Sequence, residues 1–425
     1  MSKTALVLGG GGAKGSYQVG VIKALKELKI NYDIIVGCSV GSINGAVLTQ
    51  GDYPLLKKMW QTLSTDKILD LPEETDEFNI KGIIEGKGYG YSNLKNLLAQ
   101  YINENKLRNS QIDFGLVTVK HPDMTPLYIF KNDMEDGRII DYVLGSSAFF
   151  PAMKPHKIGD NFFIDGGFSD NLPINMAINK GANKVIAVDL KAVGIIKKPE
   201  NKNIKITRIS SYWDLGPILQ FDPKQAKRNI KLGYLDTLKA FSKTDGFKYS
   251  FFKNEINSFL KRREINIKLI ENKYFKNVGK SYIKVLNKSL SSRFTQEIKD
   301  IKKPTELHLA TFILENIMYE LEIPALQIYK LKKANFVIKR AIKNIDISDY
   351  YDFSEKLINL NIKGDVFDVI KSASEIIGNS DKVKFIKFLS ENIDYLYEKN
   401  PKLPVILGIC SPKEFFSALF LKELL

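Results

Sequence analysis

The sequence predicts an α/β fold for its first half, built on a mostly parallel sheet, and a mainly α-helical second half. Three observations predict this. Short, wholly apolar runs alternate with helical patterns up to about residue 190, as in strands buried on both faces. Glycine clusters close the first two of those runs, where strand must turn into helix. Past about residue 200 strand signals thin out, and apolar residues recur at three-to-four spacing in Lys-rich sequence. A chain of 425 residues allows two to three domains. The expected division is residues 1–195, an α/β domain, and 200–425, a basic helical domain or extension.

Taken in order, Thr4 to Leu8 reads as a buried strand, and glycines 9 to 12 follow it. A helix is expected from about Lys14 to Lys29, with Val19, Ile22, Leu25 and Leu28 on one side. Asp33 to Val36 is the next strand, Gly37 to Gly41 a tight turn, and Ser42 to Thr49 a helix of small residues. Residues 64–92 break the alternation with acidic, Gly-rich sequence, a loop long enough to be mobile or functional, a lid for instance. Strands are expected again at Asp113–Val119, Leu127–Phe130 and Lys184–Leu190. Alternation of this kind implies βαβ units. Asp222-Pro223 and Ser411-Pro412 each pair a helix cap with proline at the first helical position.

The net charge of +15 is unevenly spread. Residues 1–190 hold 20 Lys+Arg and 21 Asp+Glu, so 191–425 carry a net +16. Such an excess reflects either genome composition or attraction to an anionic surface, nucleic acid or phospholipid. The segment Glu414 to Leu424 carries Phe415, Phe416, Leu419 and Phe420 on one side, which either insert shallowly at such a surface or pack against other helices, the packing being the favoured reading for this helix. Two cysteines and three histidines without ligand spacing argue against a disulfide framework or a metal site. No apolar run approaches the ~18 residues of a membrane span. The N-terminus lacks a signal-peptide pattern, so the expected location is cytoplasmic.

Three motifs carry chemistry. Gly10-Gly11-Gly12-Ala13-Lys14-Gly15 matches G-x-G-x-x-G between strand and helix, so a nucleotide-binding protein is one reading. No Gly-Lys-Ser/Thr ends the loop, which excludes a P-loop. Whatever the ligand, a glycine run aims successive backbone N–H groups at one spot beside a helix N-terminus, making an anion site. Next, Gly37-Cys38-Ser39-Val40-Gly41 follows a strand and opens a helix, the setting of a nucleophile elbow. A dinucleotide site would want an acidic residue at the end of this strand; Gly37 stands there, and Asp33 is at the start. Cys38 beside the serine is expected to pack. Third, Asp165 ends the apolar strand that starts at Asn161 and meets Gly166 and Gly167. A carboxylate so placed, partly desolvated, has a raised pKa and can take a proton from serine without an imidazole. His121, His156 and His308 fit no Ser-Asp-His order and read as structural.

In this order the three motifs resemble the patatin-like phospholipase family. The similarity runs over about residues 4–190 and includes Gly20 to Leu25, Gly145 to Pro151, Asn171-Leu-Pro173 and the Lys184–Leu190 strand. The resemblance implies a three-layer α/β/α domain and a serine acyl hydrolase of lipase or phospholipase A type. It makes Ser39 the nucleophile, Asp165 its proton acceptor, and Gly10, Gly11 and Gly12 the oxyanion-hole donors. Lys14, Gly15, Gly37, Gly41, Gly166 and Gly167 support the motifs. It implies no cofactor or metal. The partners expected are a lipid or phospholipid ester and an anionic membrane surface met through the basic half, with the chain peripheral at the inner membrane face. No nucleic acid is expected. The rival is a membrane- or nucleic-acid-binding protein in which hydrolysis is minor.

Overall fold

The structure is a computed structural model and describes residues 2–70, 89–263, 273–274, 291–298, 301–360, 366–378 and 380–424. The chain forms two compact units, Met1–Phe241 and Ser242–Leu425.

The first unit is built on an eight-stranded sheet. Its strands are β1 (Lys3–Leu8), β2 (Ile34–Cys38), β3 (Asp113–His121), β4 (Thr125–Phe130), β5 (His156–Ile158), β6 (Asn161–Asp165), β7 (Ala182–Val188) and β8 (Lys205–Ile209). The order is β5-β6-β3-β2-β1-β7-β8, with β4 also paired to β3. β3, β2, β1, β7 and β8 run parallel, and β4, β5 and β6 supply the antiparallel pairings. The sheet is therefore mixed and mostly parallel. Its central strands read as near-continuous apolar runs because both faces are covered. One face packs on the core that holds Leu6, Leu8, Ile35 and Phe114, the other on that of Ala5, Val7, Ile34 and Val36.

The register of β3 positions everything that follows. β2 pairs with the first half of one β3 edge, Cys38 opposite Val117. β6 continues along that edge in the opposite sense, Asp165 opposite Thr118. β4 takes the other edge. The C-terminal ends of β2 and β6 therefore meet head-on, which brings Ser39 and Asp165 to one point.

Helices α1 (Ser16–Glu27) and α2 (Val40–Thr49) follow β1 and β2 as the glycine turns predict. The division between units falls later than residue 195. β8, an alternating Lys-Ile-Thr-Arg-Ile strand, pairs with β7, and helix Pro223–Ala240 packs along α1. Two glycines permit that packing: a Cβ on Gly20 would sit 1.9 Å from the Ile230 carbonyl oxygen, and one on Gly233 would sit 2.0 Å from that of Tyr17. The Tyr17 hydroxyl donates to Asp236 at 2.8 Å, fastening the pair. The central part of the expected loop at 64–92, residues 71–88, lies outside the described residues.

The second unit is mainly helical, with a small three-stranded sheet. Its terminal helix, Pro412–Leu424, follows the packing alternative and not the membrane-inserting one. Phe415, Phe416, Leu419 and Phe420 are all buried, packed in the unit's own core where the helix meets Glu306–Glu320 and Lys382–Lys399. Among the described residues no helix is long and apolar enough to cross a membrane.

Candidate active site

Ser39 sits where β2 ends and α2 begins, with φ 54° and ψ −127°. A non-glycine residue in this region is strained and is held there only by its surroundings. The holding groups are identifiable. The Ser39 N–H donates to the Ser146 hydroxyl at 3.0 Å, and that hydroxyl donates to the Val117 carbonyl at 2.7 Å. The Ser39 carbonyl accepts from the Ser42 N–H and hydroxyl at 2.8 and 2.6 Å. Gly37 and Gly41 make the sharp turn fit: a Cβ on Gly37 would meet the Gly41 carbonyl oxygen at 2.3 Å, and one on Gly41 would meet that of Leu8 at 2.0 Å.

Asp165 is 3% exposed and lines the same cavity as Ser39. Its Oδ1 accepts from the Gly167 N–H at 2.7 Å and from the Cys38 thiol at 3.8 Å. Burial pushes the Asp165 carboxyl up to about 6, against the pull of the nearby Ser39 and of its donors Gly167 and Cys38. Cys38 is therefore more than packing. Its thiol touches both Asp165 and the Asn171 side chain, at 3.8 and 3.7 Å, and burial among carboxylates pushes its own pKa well up. Gly166 is fixed by close approach, a Cβ there lying 2.2 Å from the Val117 carbonyl oxygen.

The glycine loop divides in two. Gly10 departs from the expectation of an anion donor, because its N–H is consumed by the Asn171 carbonyl at 3.0 Å. The N–H groups of Gly11 and Gly12 go to no backbone carbonyl among the described residues, and both glycines line the cavity that reaches Ser39 and Asp165. Gly12 has φ 53°, and a Cβ on it would lie 2.1 Å from the Ile218 carbonyl oxygen. Gly15 lies under Val40 and Trp60, again with no space for a side chain. Lys14 does not line the cavity.

Three features escape sequence reasoning. Asn171 clamps the loops together: its carbonyl takes Gly10, its amide donates to the Gly10 carbonyl at 3.4 Å, and its side-chain oxygen takes the Cys38 thiol. The motif Asn171-Leu-Pro173 pointed to this residue without a role. A buried network fixes the loop's base, running from the Gly9 carbonyl to Gln18, Asn44 and the Trp60 indole at 2.7, 2.7 and 2.8 Å. Ser146 steadies the elbow, as above. The histidines stand elsewhere. His156 bridges Tyr91 and Asp141 at 2.9 and 3.1 Å, His308 caps the helix Glu306–Glu320, and His121 stacks near Phe150.

The cavity over Ser39 and Asp165 measures about 410 Å3, within the usual range for small-ligand sites. Its wall is mostly apolar, from residues such as Ile43, Met59, Trp60, Leu94, Phe149 and Phe221. Among the described residues no Lys, Arg or His lines it, which suits an acyl chain better than the pyrophosphate of a dinucleotide. Chemically, the arrangement offers a serine hydroxyl, a carboxyl able to accept its proton near neutral pH, and two amides beside them.

Comparison with known proteins agrees with this geometry. The family model described as patatin-like phospholipase matches residues 6–178. Patatin-like phospholipase domain-containing protein 7 of Rattus norvegicus is 31% identical over 193 residues, which is 44% of this chain and 13% of that protein. Lysophospholipase NTE1 of Debaryomyces hansenii is 27% identical over 266 residues, 57% of this chain and 16% of that protein. The match thus spans only a small part of these relatives' length. Among solved structures, VipD from Legionella pneumophila aligns with 100% of this chain and 91% of its own at 14% identity and a TM-score of 0.38, too distant to carry an argument. The match identifies residues 6–178, the stretch in which β1, β2 and β6 converge on Ser39 and Asp165, as a patatin-like phospholipase domain.

Proposed function

We propose that the protein is a serine acyl hydrolase that cleaves carboxylic esters of lipids through Ser39 and Asp165. One observation carries this reading: a strained serine and a buried carboxyl, itself raised to about 6, line one apolar cavity. In the reaction, Ser39 Oγ attacks the ester carbonyl while Asp165 accepts the hydroxyl proton. The N–H groups of Gly11 and Gly12 hold the oxyanion, a contribution of ~2.7–4 kcal/mol per donor in comparable sites. The tetrahedral intermediate expels the alcohol, which takes the proton back from Asp165. Water then attacks the acyl-serine by the same route. Asn171 and Ser146 keep the two loops in register.

The reading extends to a lipid surface as partner. Helix Leu331–Lys343 buries Leu331, Ala334, Ile338 and Ile342 and exposes Lys332, Lys333, Lys339, Arg340 and Lys343, with no acidic residue and with Phe336 in solvent. That face, and not the terminal helix, is where the basic half would meet anionic phospholipid.

The test is direct. Purified protein should hydrolyse p-nitrophenyl esters and release fatty acid from a phospholipid panel. A fluorophosphonate probe should label the wild type and not Ser39→Ala. Labelling that persists in Ser39→Ala, or hydrolysis that survives it, rejects the assignment.

A further inference from the structure

Between β7 and β8 the chain crosses the mouth of the cavity as Lys191-Ala-Val-Gly-Ile-Ile-Lys-Lys198, a strap with two unlike sides. Its backbone is tied to the loop that carries the carboxyl. The Ile195 N–H donates to the Gly167 carbonyl at 3.0 Å, and the Ile195 carbonyl accepts from the Asn171 N–H at 2.6 Å. Gly194 lets the strap lie flat there, since a Cβ on it would meet the Asn171 side chain at 2.7 Å. Its side chains go the other way. Val193 is 80% exposed, Ile195 55% and Ile196 38%, and Val193 is the most exposed large apolar side chain among the described residues. Val193 and Ile195 also line the cavity, so the patch is continuous with the apolar wall above Ser39.

Scattered exposed apolar residues need no explanation, but three in four positions on a pinned backbone are costly to keep in water. Charge gives the patch its partner. Lys197 and Lys198 follow directly and are exposed, with the Lys197 ammonium over Tyr128 at the edge of the patch. Apolar side chains beside cations at the mouth of an apolar cavity match one environment, the headgroup–acyl boundary of an anionic bilayer.

We propose that the strap at residues 193–198 is the docking surface through which the first unit sits on anionic lipid. Val193, Ile195 and Ile196 enter between acyl chains, and the two lysines meet phosphates. The proposal rests on the lipid-hydrolase reading for its choice of partner. It adds that lipid leaves the bilayer along the strap's apolar side chains and enters the cavity without crossing water.

The test uses the full chain in a Ser39→Ala background, so that no lipid is consumed. An environment-sensitive fluorophore is attached at Ile196→Cys, with Cys410→Ser to leave only the buried Cys38. Vesicles of phosphatidylglycerol and phosphatidylcholine should shift the emission to the blue, and phosphatidylcholine alone should shift it less. An unshifted emission while the protein co-sediments with the vesicles, or no co-sedimentation at all, overturns the proposal. In the Ser39 protein, the pair Ile196→Asp and Lys198→Glu should lower hydrolysis of anionic vesicles by about ten-fold. The same pair should leave p-nitrophenyl butyrate hydrolysis unchanged, since neither side chain lines the cavity. Equal vesicle hydrolysis by the pair and the parent overturns the strap. Absence of ester hydrolysis in the parent rejects the hydrolase reading instead, and leaves the fluorescence result to decide the docking surface.

Discussion

Each unit of the molecule buries a carboxylate, and the two are used in opposite ways. In the second unit Glu315 is fully buried, and its two oxygens accept from three consecutive backbone amides, those of Phe247, Lys248 and Tyr249, at 2.7, 3.0 and 3.1 Å. That is a structural knot, one side chain in place of a strand's worth of partners. In the first unit Asp165 accepts from one amide and a weak thiol donor, and it lines a cavity beside Ser39. Burial is nearly the same, so solvent exclusion does not make a carboxyl reactive. What separates the two is how much of the hydrogen-bonding capacity is already committed, and whether a substrate can reach the remainder.

The largest effect that would sharpen this contrast comes from Asp165→Asn. The amide keeps an acceptor for Gly167 but cannot take a proton, so kcat should fall by ~10²–10⁴ with the fold intact. The pH dependence follows from the raised carboxyl. Asp165 must be ionised to act, so wild-type kcat/KM should drop as pH falls through about 6. Stability has the opposite sign. Because the folded pKa lies above the usual carboxylate value, the folded protein holds the proton longer, and stability is lost as pH rises from about 4 through about 6. Asp165→Asn should therefore melt no lower than wild type at pH 8, and its relative advantage should shrink towards pH 4. A variant that melts well below wild type at pH 8 would make Asp165 another structural carboxylate, like Glu315.

Next in size is Gly12→Ala, where the methyl would sit 2.1 Å from the Ile218 carbonyl and the backbone is left-handed. Displacing one oxyanion donor should lower kcat by ~10²–10³ with little change in KM. An effect on KM alone would make the loop a binding element only. Glu315→Ala gives the complementary result. It should cost the second unit roughly 3 kcal/mol, seen as an earlier denaturant transition, by removing the acceptor of three backbone amides, two of them buried. Fluorophosphonate labelling of Ser39 should continue; loss of labelling would abolish the distinction between the two carboxylates. The smallest effect is expected from Cys38→Ala, which removes the long thiol contact to Asp165. Activity should stay within a few-fold, with the acid limb of the pH profile moved slightly up, because one stabilising donor to the ionised carboxyl is gone.

Much of the first unit could be read from sequence because its signals are local. The apolar runs at Thr4–Leu8, Asp33–Val36 and Asp113–Val119 fall within β1, at β2, and within β3, and the glycine turns stand where the first two of those strands become helices. Gly37, Gly41 and Gly166 were singled out by pattern, and in the fold each meets a backbone carbonyl. Other features could not be read because they depend on distant pairings. That the Gly10 amide is consumed by Asn171 is set by packing across 161 residues, and no local pattern encodes it. The partnership of Ser146 with Ser39 spans 107 residues. Helix Pro223–Ala240 belongs with the first unit because of Gly20 and Gly233, whose meaning appears only when α1 and that helix touch. The aromatics of the terminal helix show the converse: their spacing signals an apolar face, and only the fold says whether lipid or protein covers it.

The head-on meeting of β2 and β6 along one edge of β3 has a consequence for the newly made chain. Ser39 leaves the ribosome early, and its elbow is short-range, yet its partner is fixed only when residues 161–165 have aligned behind β2 on β3. A nascent or partly degraded chain lacking that last pairing carries the serine without the carboxyl proposed to take its proton. In the proposed mechanism, reactivity towards esters is thereby tied to completion of the sheet, and strand order keeps fragments of the chain inactive.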